Sequence, residues 1–164
     1  GMSSQCEILD FTLEEDHIPV ESLTDRLNPC FPAGIRVLSS YDSDRKIKEL
    51  RFLECEVTLE YDQGVPRQAK DALDTLFQQP ELFVEKKTKK GMTETDIRPM
   101  IDSIAVHQIS DQEMRLSAVI CAQNPALNPQ LLTKAIERHL PAYAPDFSWA
   151  HRVEVFDENH QVFR

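Results

Sequence analysis

Long apolar runs are missing from this sequence. No stretch approaches the ~18 consecutive apolar residues that a bilayer-spanning helix needs, and the N-terminus lacks the basic-then-apolar order of a secretory signal. Both absences point to a cytoplasmic protein with no membrane partner. Cysteine is also scarce: Cys6, Cys30, Cys55 and Cys121 lie far apart, with no Cys-x-x-Cys pair and no histidine at ligand spacing. Neither a zinc site nor an iron–sulfur cluster is therefore expected, and no metal or other cofactor is implied. Without a secretory signal the thiols should stay reduced and behave as small buried hydrophobes. Positive charge is the third shortage, since 18 Lys and Arg face 28 Asp and Glu for a net charge of −10. Phosphate neutralisation supplies most non-specific affinity for nucleic acid, so such a surface as a whole excludes wrapping a polyanion, and only a local basic patch escapes that exclusion.

What is present is an ordinary globular composition, 41% hydrophobic over 164 residues, enough for one good core or two small ones. Residues 5–13 alternate, with Leu9, Phe11 and Leu13 on one side, and read as a strand. Pro19 suits the first turn of a helix whose Val20, Leu23 and Leu27 share a stripe ended by Asn28-Pro29, and Gly34 releases the chain into a short strand over 35–39. The polar stretch 41–48, YDSDRKIK, marks a boundary. Beyond it Leu53, Cys55, Val57, Leu59 and Tyr61 alternate with Glu54, Glu56, Thr58 and Glu60, the clearest half-buried strand in the chain. A helix follows between Pro66 and Pro80, then a strand over 82–87. Residues 96–108 read as extended with an edge or bend at Pro99, and Met114 to Ile120 alternate again. Asn128 and Pro129 open a helix with Leu132, Ala135, Ile136 and Leu140 in its stripe, and a strand over 149–156 completes the order.

This order predicts an α+β fold: a ferredoxin-like α/β sandwich over 46–164, with a mainly antiparallel sheet and helices on one face. It is preceded over 1–45 by a βαβ half-unit, the remnant of a first ferredoxin-like domain. A half-unit leaves apolar surface uncovered, so it is expected to dock on the second unit or on another copy, making a homodimer.

The densest concentration of positive charge is Lys86, Lys87, Lys89 and Lys90, four of the chain's eight lysines within five positions, followed by Gly91 and then Asp96-Ile97-Arg98-Pro99. Three readings fit the lysines. They block edge-to-edge strand pairing, they form an anion-binding tip where Gly91 lets a backbone approach, or they meet an acidic protein. Alternation sends Lys86 and Lys87 to opposite faces. Asp96 and Arg98, two apart, share a face if extended, which predicts an ion pair at the hairpin base or makes Arg98 a bidentate anion ligand. His17, His107, His139 and His151 are scattered singly and read as surface or helix-end residues. Glu54, Glu56 and Glu60 read as the wet face of a sheet, and Phe147 with Trp149 as core or interface.

The segment FVEKKTKKGMTETDIRPMI, taken with CEILDFTL near the start and the PAGIRVL turn after the first helix, resembles the radical SAM-linked protein family, an uncharacterised family. The order of motifs covers nearly the whole chain, and the lysine-to-DIRP segment is its most specific part. Family members are typically encoded beside, or fused to, a cobalamin-binding-type radical SAM protein, so the resemblance implies such a partner, which would carry the cluster cysteines itself. It implies no catalytic residue, because no activity is established for the family. Members usually carry a further N-terminal region ahead of the stretch matching 1–13, whose absence would explain the half-unit. Three functions are thus in view. The first is a non-catalytic accessory or binding module contacting RNA, phosphate or a partner through Lys86, Lys87, Lys89, Lys90 and Gly91. The second is an enzyme using Asp96 and Arg98 in a cleft between the units. The third is an oligomerising scaffold.

Overall fold

The computed structural model describes residues 1–14 and 17–164. They divide into two compact units, one made of residues 1–7 and 48–163, the other of residues 8–47 with Arg164. In chain order the strands are β1 (Met2–Ser4), β2 (Leu50–Glu60), β3 (Phe83–Thr88), β4 (Gly91–Asp96), β5 (Ile101–Gln108), β6 (Glu113–Cys121) and β7 (Phe147–Asp157). The α-helices among the described residues are α1 (Val20–Leu27), α2 (Ala69–Phe77) and α3 (Gln130–His139). The protein is mixed α/β with a mainly antiparallel sheet. No helix among the described residues is long and apolar enough to cross a membrane.

The larger unit is built on β2, whose alternation separates two environments. Leu53, Cys55, Val57 and Leu59 are buried, while Glu54, Glu56 and Glu60 keep contact with solvent. Because opposite residues in an antiparallel pair share a face, the register carries this division across the sheet. Leu53 faces Ile120, Val57 faces Leu116 on one side and Ala150 on the other. The strand order is β1-β7-β2-β6-β5, and only β1 runs parallel to its neighbour, pairing Met2 to Ser4 with Ala150 to Arg152. A bulge in the β2–β7 pairing falls between Glu54 and Cys55. On the wet face Arg115 lies 3.2 Å from Glu113 and 3.9 Å from Glu56, so the carboxylate row has one neutralising cation in its middle.

Helices α2 and α3 cover the apolar face. Leu73, Leu76 and Phe77 of α2, with Leu132, Ala135 and Ile136 of α3, repeat at three- and four-residue intervals and are buried. The start of α3 follows from Asn128, whose Oδ1 accepts the Gln130 N–H at 3.0 Å while Pro129 supplies a fixed φ where no donor is needed. Pro66 does not open α2 directly. It begins a turn in which the Ala69 N–H donates to the Pro66 carbonyl and Gln68 takes φ 64°, and the helix starts after it.

Residues 8–47 depart from the expected βαβ half-unit. The helix forms as α1, ended by the Asn28–Cys30 turn, but neither 5–13 nor 35–39 is a strand. Alternation is only half of a strand's requirement, since its N–H and C=O groups need a neighbouring ladder. Around residue 37 a side chain substitutes for that ladder: the Val37 N–H donates to Asn28 Oδ1 at 2.8 Å and Asn28 Nδ2 donates to the Val37 carbonyl at 3.1 Å. The boundary falls at 47/48 rather than 45/46, and residues 1–7 join the larger unit. The expectation of buried thiols holds for Cys55 alone. Cys30 is exposed, its Sγ–H directed at the Arg26 carbonyl, and Cys6 and Cys121 are half-buried.

Candidate functional site

The lysine segment is a hairpin of β3 and β4, a two-stranded sheet separate from the main one. Its register pairs Val84 with Thr95, Glu85 with Glu94, Lys86 with Thr93 and Lys87 with Met92. Lys89 and Lys90 form the reversal, and Gly91 closes it at φ +117°, a conformation strained for any residue with a Cβ. One face therefore carries Val84, Lys86, Thr93 and Thr95, and the other carries Glu85, Lys87, Met92 and Glu94.

An isolated hairpin is marginal in water, and this one is held at its base and by contacts to both of its strands. At the base Leu82, Val84 and Ile97 are buried. Beyond the base the contacts come from α3 and the loop before it. Arg138 Nη1 lies 2.8 Å from both oxygens of Glu94, His139 Nε2 lies 2.7 Å from the Phe83 carbonyl, and Lys86 Nζ donates to the Ala126 carbonyl at 2.9 Å. The Arg138–Glu94 pair also relieves a local conflict. Glu85 and Glu94 sit opposite each other on one face, an unfavourable placement for like charges, and Arg138 interacts with both; the hydrogen bond it donates to Glu94 raises the guanidinium's proton affinity further.

The four lysines are thus not equivalent. Lys86 is committed to the protein's own backbone. Lys87, Lys89 and Lys90 are exposed, and among the described residues none of the four pairs with a carboxylate. Two apolar side chains of the hairpin are exposed, Phe83 at its base at 40% and Met92 opposite Lys87 at 58%.

Asp96 and Arg98 do not make the expected ion pair. Asp96 Oδ1 accepts the Leu82 N–H at 2.7 Å and the Arg98 N–H at 3.0 Å, and Arg98 Nη1 donates to the Ile101 carbonyl at 2.9 Å. Extension was the premise of a shared face, and the chain is not extended here. Ile97 is at φ −90°, ψ −9°, and Arg98 to Met100 form a 3-10 turn that absorbs Pro99 before β5 begins. Two surface depressions, one lined in part by Asp62, Gly64 and Asp111, the other by Leu76, Glu81, Leu82 and His139, open elsewhere, and Asp96 and Arg98 line neither.

The groups that hold the hairpin, Glu94, Ala126, Arg138 and His139, escaped sequence reasoning. Arg138 is 44 residues from Glu94, and the only trace in the sequence is a basic pair at the end of α3, which reads as ordinary helix-end chemistry. Phe147 and Trp149 are not core: they stand at 55% and 36% exposure opposite Glu60 and Thr58 on the wet face.

No curated protein matches the chain, and no solved structure does. One family model does, over residues 1–129, a span that takes in the whole hairpin and the Asp96–Arg98 turn. The chain belongs to that family, described as an uncharacterized protein conserved in bacteria (DUF2344).

Proposed function

We propose that this protein is a non-catalytic binding module and that the tip of the β3–β4 hairpin is its contact surface. The observation that carries the reading is the division among the lysines: Lys86 is tied down at Ala126, and among the described residues Lys87, Lys89 and Lys90 pair with no carboxylate, on a chain of net charge −10. Amines ordered by a glycine-closed turn and kept free of the protein's own carboxylates are placed to meet an anionic group. The enzyme alternative has Asp96 and Arg98 act on a substrate, whereas Asp96 Oδ1 and Arg98 Nη1 are already bonded to backbone groups and neither residue lines either of the two surface depressions.

The partner in this reading is the radical SAM protein that the sequence resemblance implies, in the cytoplasm. The body that presents the hairpin is read as a ferredoxin-like sandwich. That is supported by the order β7-β2-β6-β5 and by α2 and α3 lying between β2 and β5 and between β6 and β7. Anionic groups of two kinds suit the amines, RNA phosphates and protein carboxylates. The test is co-purification of the tagged chain with the radical SAM protein expressed beside it. Replacing Lys87, Lys89 and Lys90 by Gln should abolish retention, and Lys86→Gln should leave it largely intact; equal retention by all three forms would end the reading. A second reading, self-association through residues 8–47, is favoured by Leu9, Ile35 and Leu38, which are 65%, 57% and 74% exposed. It predicts a dimer in light scattering that Leu38→Glu dissolves.

A further inference from the structure

The backbone phase of the hairpin leaves one edge open. The Ile97 N–H donates to the Leu82 carbonyl at 2.8 Å, which makes Leu82 and Ile97 a hydrogen-bonded pair. Such pairs recur at every second position. The bonded pairs are then Val84 with Thr95, Lys86 with Thr93 and Thr88 with Gly91, and the outward-pointing backbone groups belong to Phe83, Glu85 and Lys87 on β3 and to Met92 and Glu94 on β4. On β3 this edge is already engaged, since the outward carbonyl of Phe83 accepts from His139. On β4, among the described residues, the ladder partner is β3 alone, and Gly91 to Glu94 are exposed.

The lysines are in the wrong strand to guard that edge. Protective lysines and prolines belong on an open edge, yet β4 reads Gly-Met-Thr-Glu-Thr-Asp and contains neither, while the lysines lie on β3 and in the turn. Nucleic acid fits poorly too. Three free amines would give log K a slope against log salt of only about −2 to −3, set against six to ten contacts for strong binders, and single-stranded recognition wants stacking rings. The tip offers Met92 and no aromatic side chain, on a chain of net charge −10.

Resting on the reading of the hairpin as the contact surface, we propose that its partner is an extended acidic segment of another protein, which adds as a strand to the outer edge of β4. The main-chain groups of Met92 and Glu94 supply the ladder. Lys87, Lys89 and Lys90 take the incoming carboxylates, and the exposed Met92 side chain packs on the added strand.

The probe is an eight-residue peptide of alternating valine and glutamate, added to the isotopically labelled full chain. Two controls accompany it, the same peptide with lysine for glutamate and the acidic peptide N-methylated at alternate residues. The acidic peptide should slow amide exchange at Met92 and Glu94 at least tenfold, with Thr93, already in the ladder, unchanged. N-methylation should weaken binding at least tenfold, as should Met92→Pro compared with Met92→Ala, with the Thr93 amide showing that the hairpin survives. Binding that depends on the lysines but leaves Met92 and Glu94 exchange unchanged would overturn strand addition and spare the hairpin contact. Binding unaffected by the triple Gln variant would overturn both. Equal response to the lysine peptide, tighter binding of oligouridylate, or no shift up to the acidic peptide's solubility limit would each overturn the proposal.

Discussion

Replacing Asp96 by alanine separates a structural carboxylate from a functional one. In the folded protein one oxygen of Asp96 accepts two backbone donors, Leu82 N–H at 2.7 Å and Arg98 N–H at 3.0 Å, and so joins the strand entering the hairpin to the turn leaving it. The neighbours Leu82 and Ile97 are buried, so water reaches the two amides poorly once the carboxylate is gone. A charge-assisted bond contributes roughly 1.5–3 kcal/mol, and a stranded donor costs about 1–3 kcal/mol. Asp96 is half-exposed and water recovers part of the loss, so about 2 kcal/mol is the expected cost for Asp96→Ala. Asp96→Asn keeps an acceptor and should cost about half as much. In urea unfolding the Ala variant should lower the midpoint by about 1 M, and in a thermal melt it should lower Tm by roughly 4–8 °C. The local signature is sharper: the Leu82 and Arg98 amides should lose exchange protection first. If Asp96→Ala unfolds within about 0.5 kcal/mol of the parent and both amides keep their protection, the carboxylate is not a cap, and a direct role for the DIRP segment returns.

Arg138→Ala should free the hairpin without unfolding the body, because the pair with Glu94 is exposed and screened by solvent and contributes little to global stability. Hairpin amides should exchange roughly fivefold faster while the global midpoint barely moves, and a cycle with Glu94→Gln measures the coupling. Alkali should destabilise the protein between about pH 9 and 12. Burial pushes the Cys55 thiol up to about 12 from 9.0, and burial with help from Asp146 pushes Tyr61 up to about 12 from 10.0. Both groups hold their protons longer folded than unfolded, so stability is whole below pH 9 and falls as pH climbs toward 12, by an amount on the order of 2–4 kcal/mol. Unfolding midpoints against pH check this, and Cys55→Ala should flatten the curve. A thiol reagent at mild pH should modify the exposed Cys30 at once and reach Cys55 only on unfolding.

Elements that satisfy themselves were legible in the sequence. In β2, β6, α2 and α3 the apolar period fixes which face is buried, and the burial of Leu53, Leu116, Leu73 and Leu132 obeys it. The failures share a cause, which is dependence on a partner that the local pattern cannot name. Residues 5–13 alternate as well as β6 does, but only Met2 to Ser4 found a strand to pair with. The Asn28 side chain turned 35–39 into an Asx-bonded segment, a choice invisible in alternation. Likewise Asp96 and Arg98 read as partners because their spacing was measured on an extended chain, whereas Ile97 at ψ −9° and the 3-10 turn of Arg98 to Met100 bend it, with Pro99 tolerated in that turn because its position needs no donor.

For the lysines, too, the sequence showed a concentration of charge and could not show its division. A side chain five bonds long reaches its own backbone as readily as a ligand, so four adjacent cations carry no statement of how many remain available. Lys86 faces inward with Val84 because alternation puts both on one face, and once there its amine meets the Ala126 carbonyl, which no anion can then displace without loosening the hairpin from the loop before α3. Lys86→Ala should therefore act like Arg138→Ala, raising hairpin exchange and leaving ligand contact weakened only indirectly, whereas Lys87→Ala should leave exchange unchanged and weaken contact directly. An identical response of the two variants in both measurements would mean that the cations act only as bulk charge and that the hairpin's geometry does not sort them.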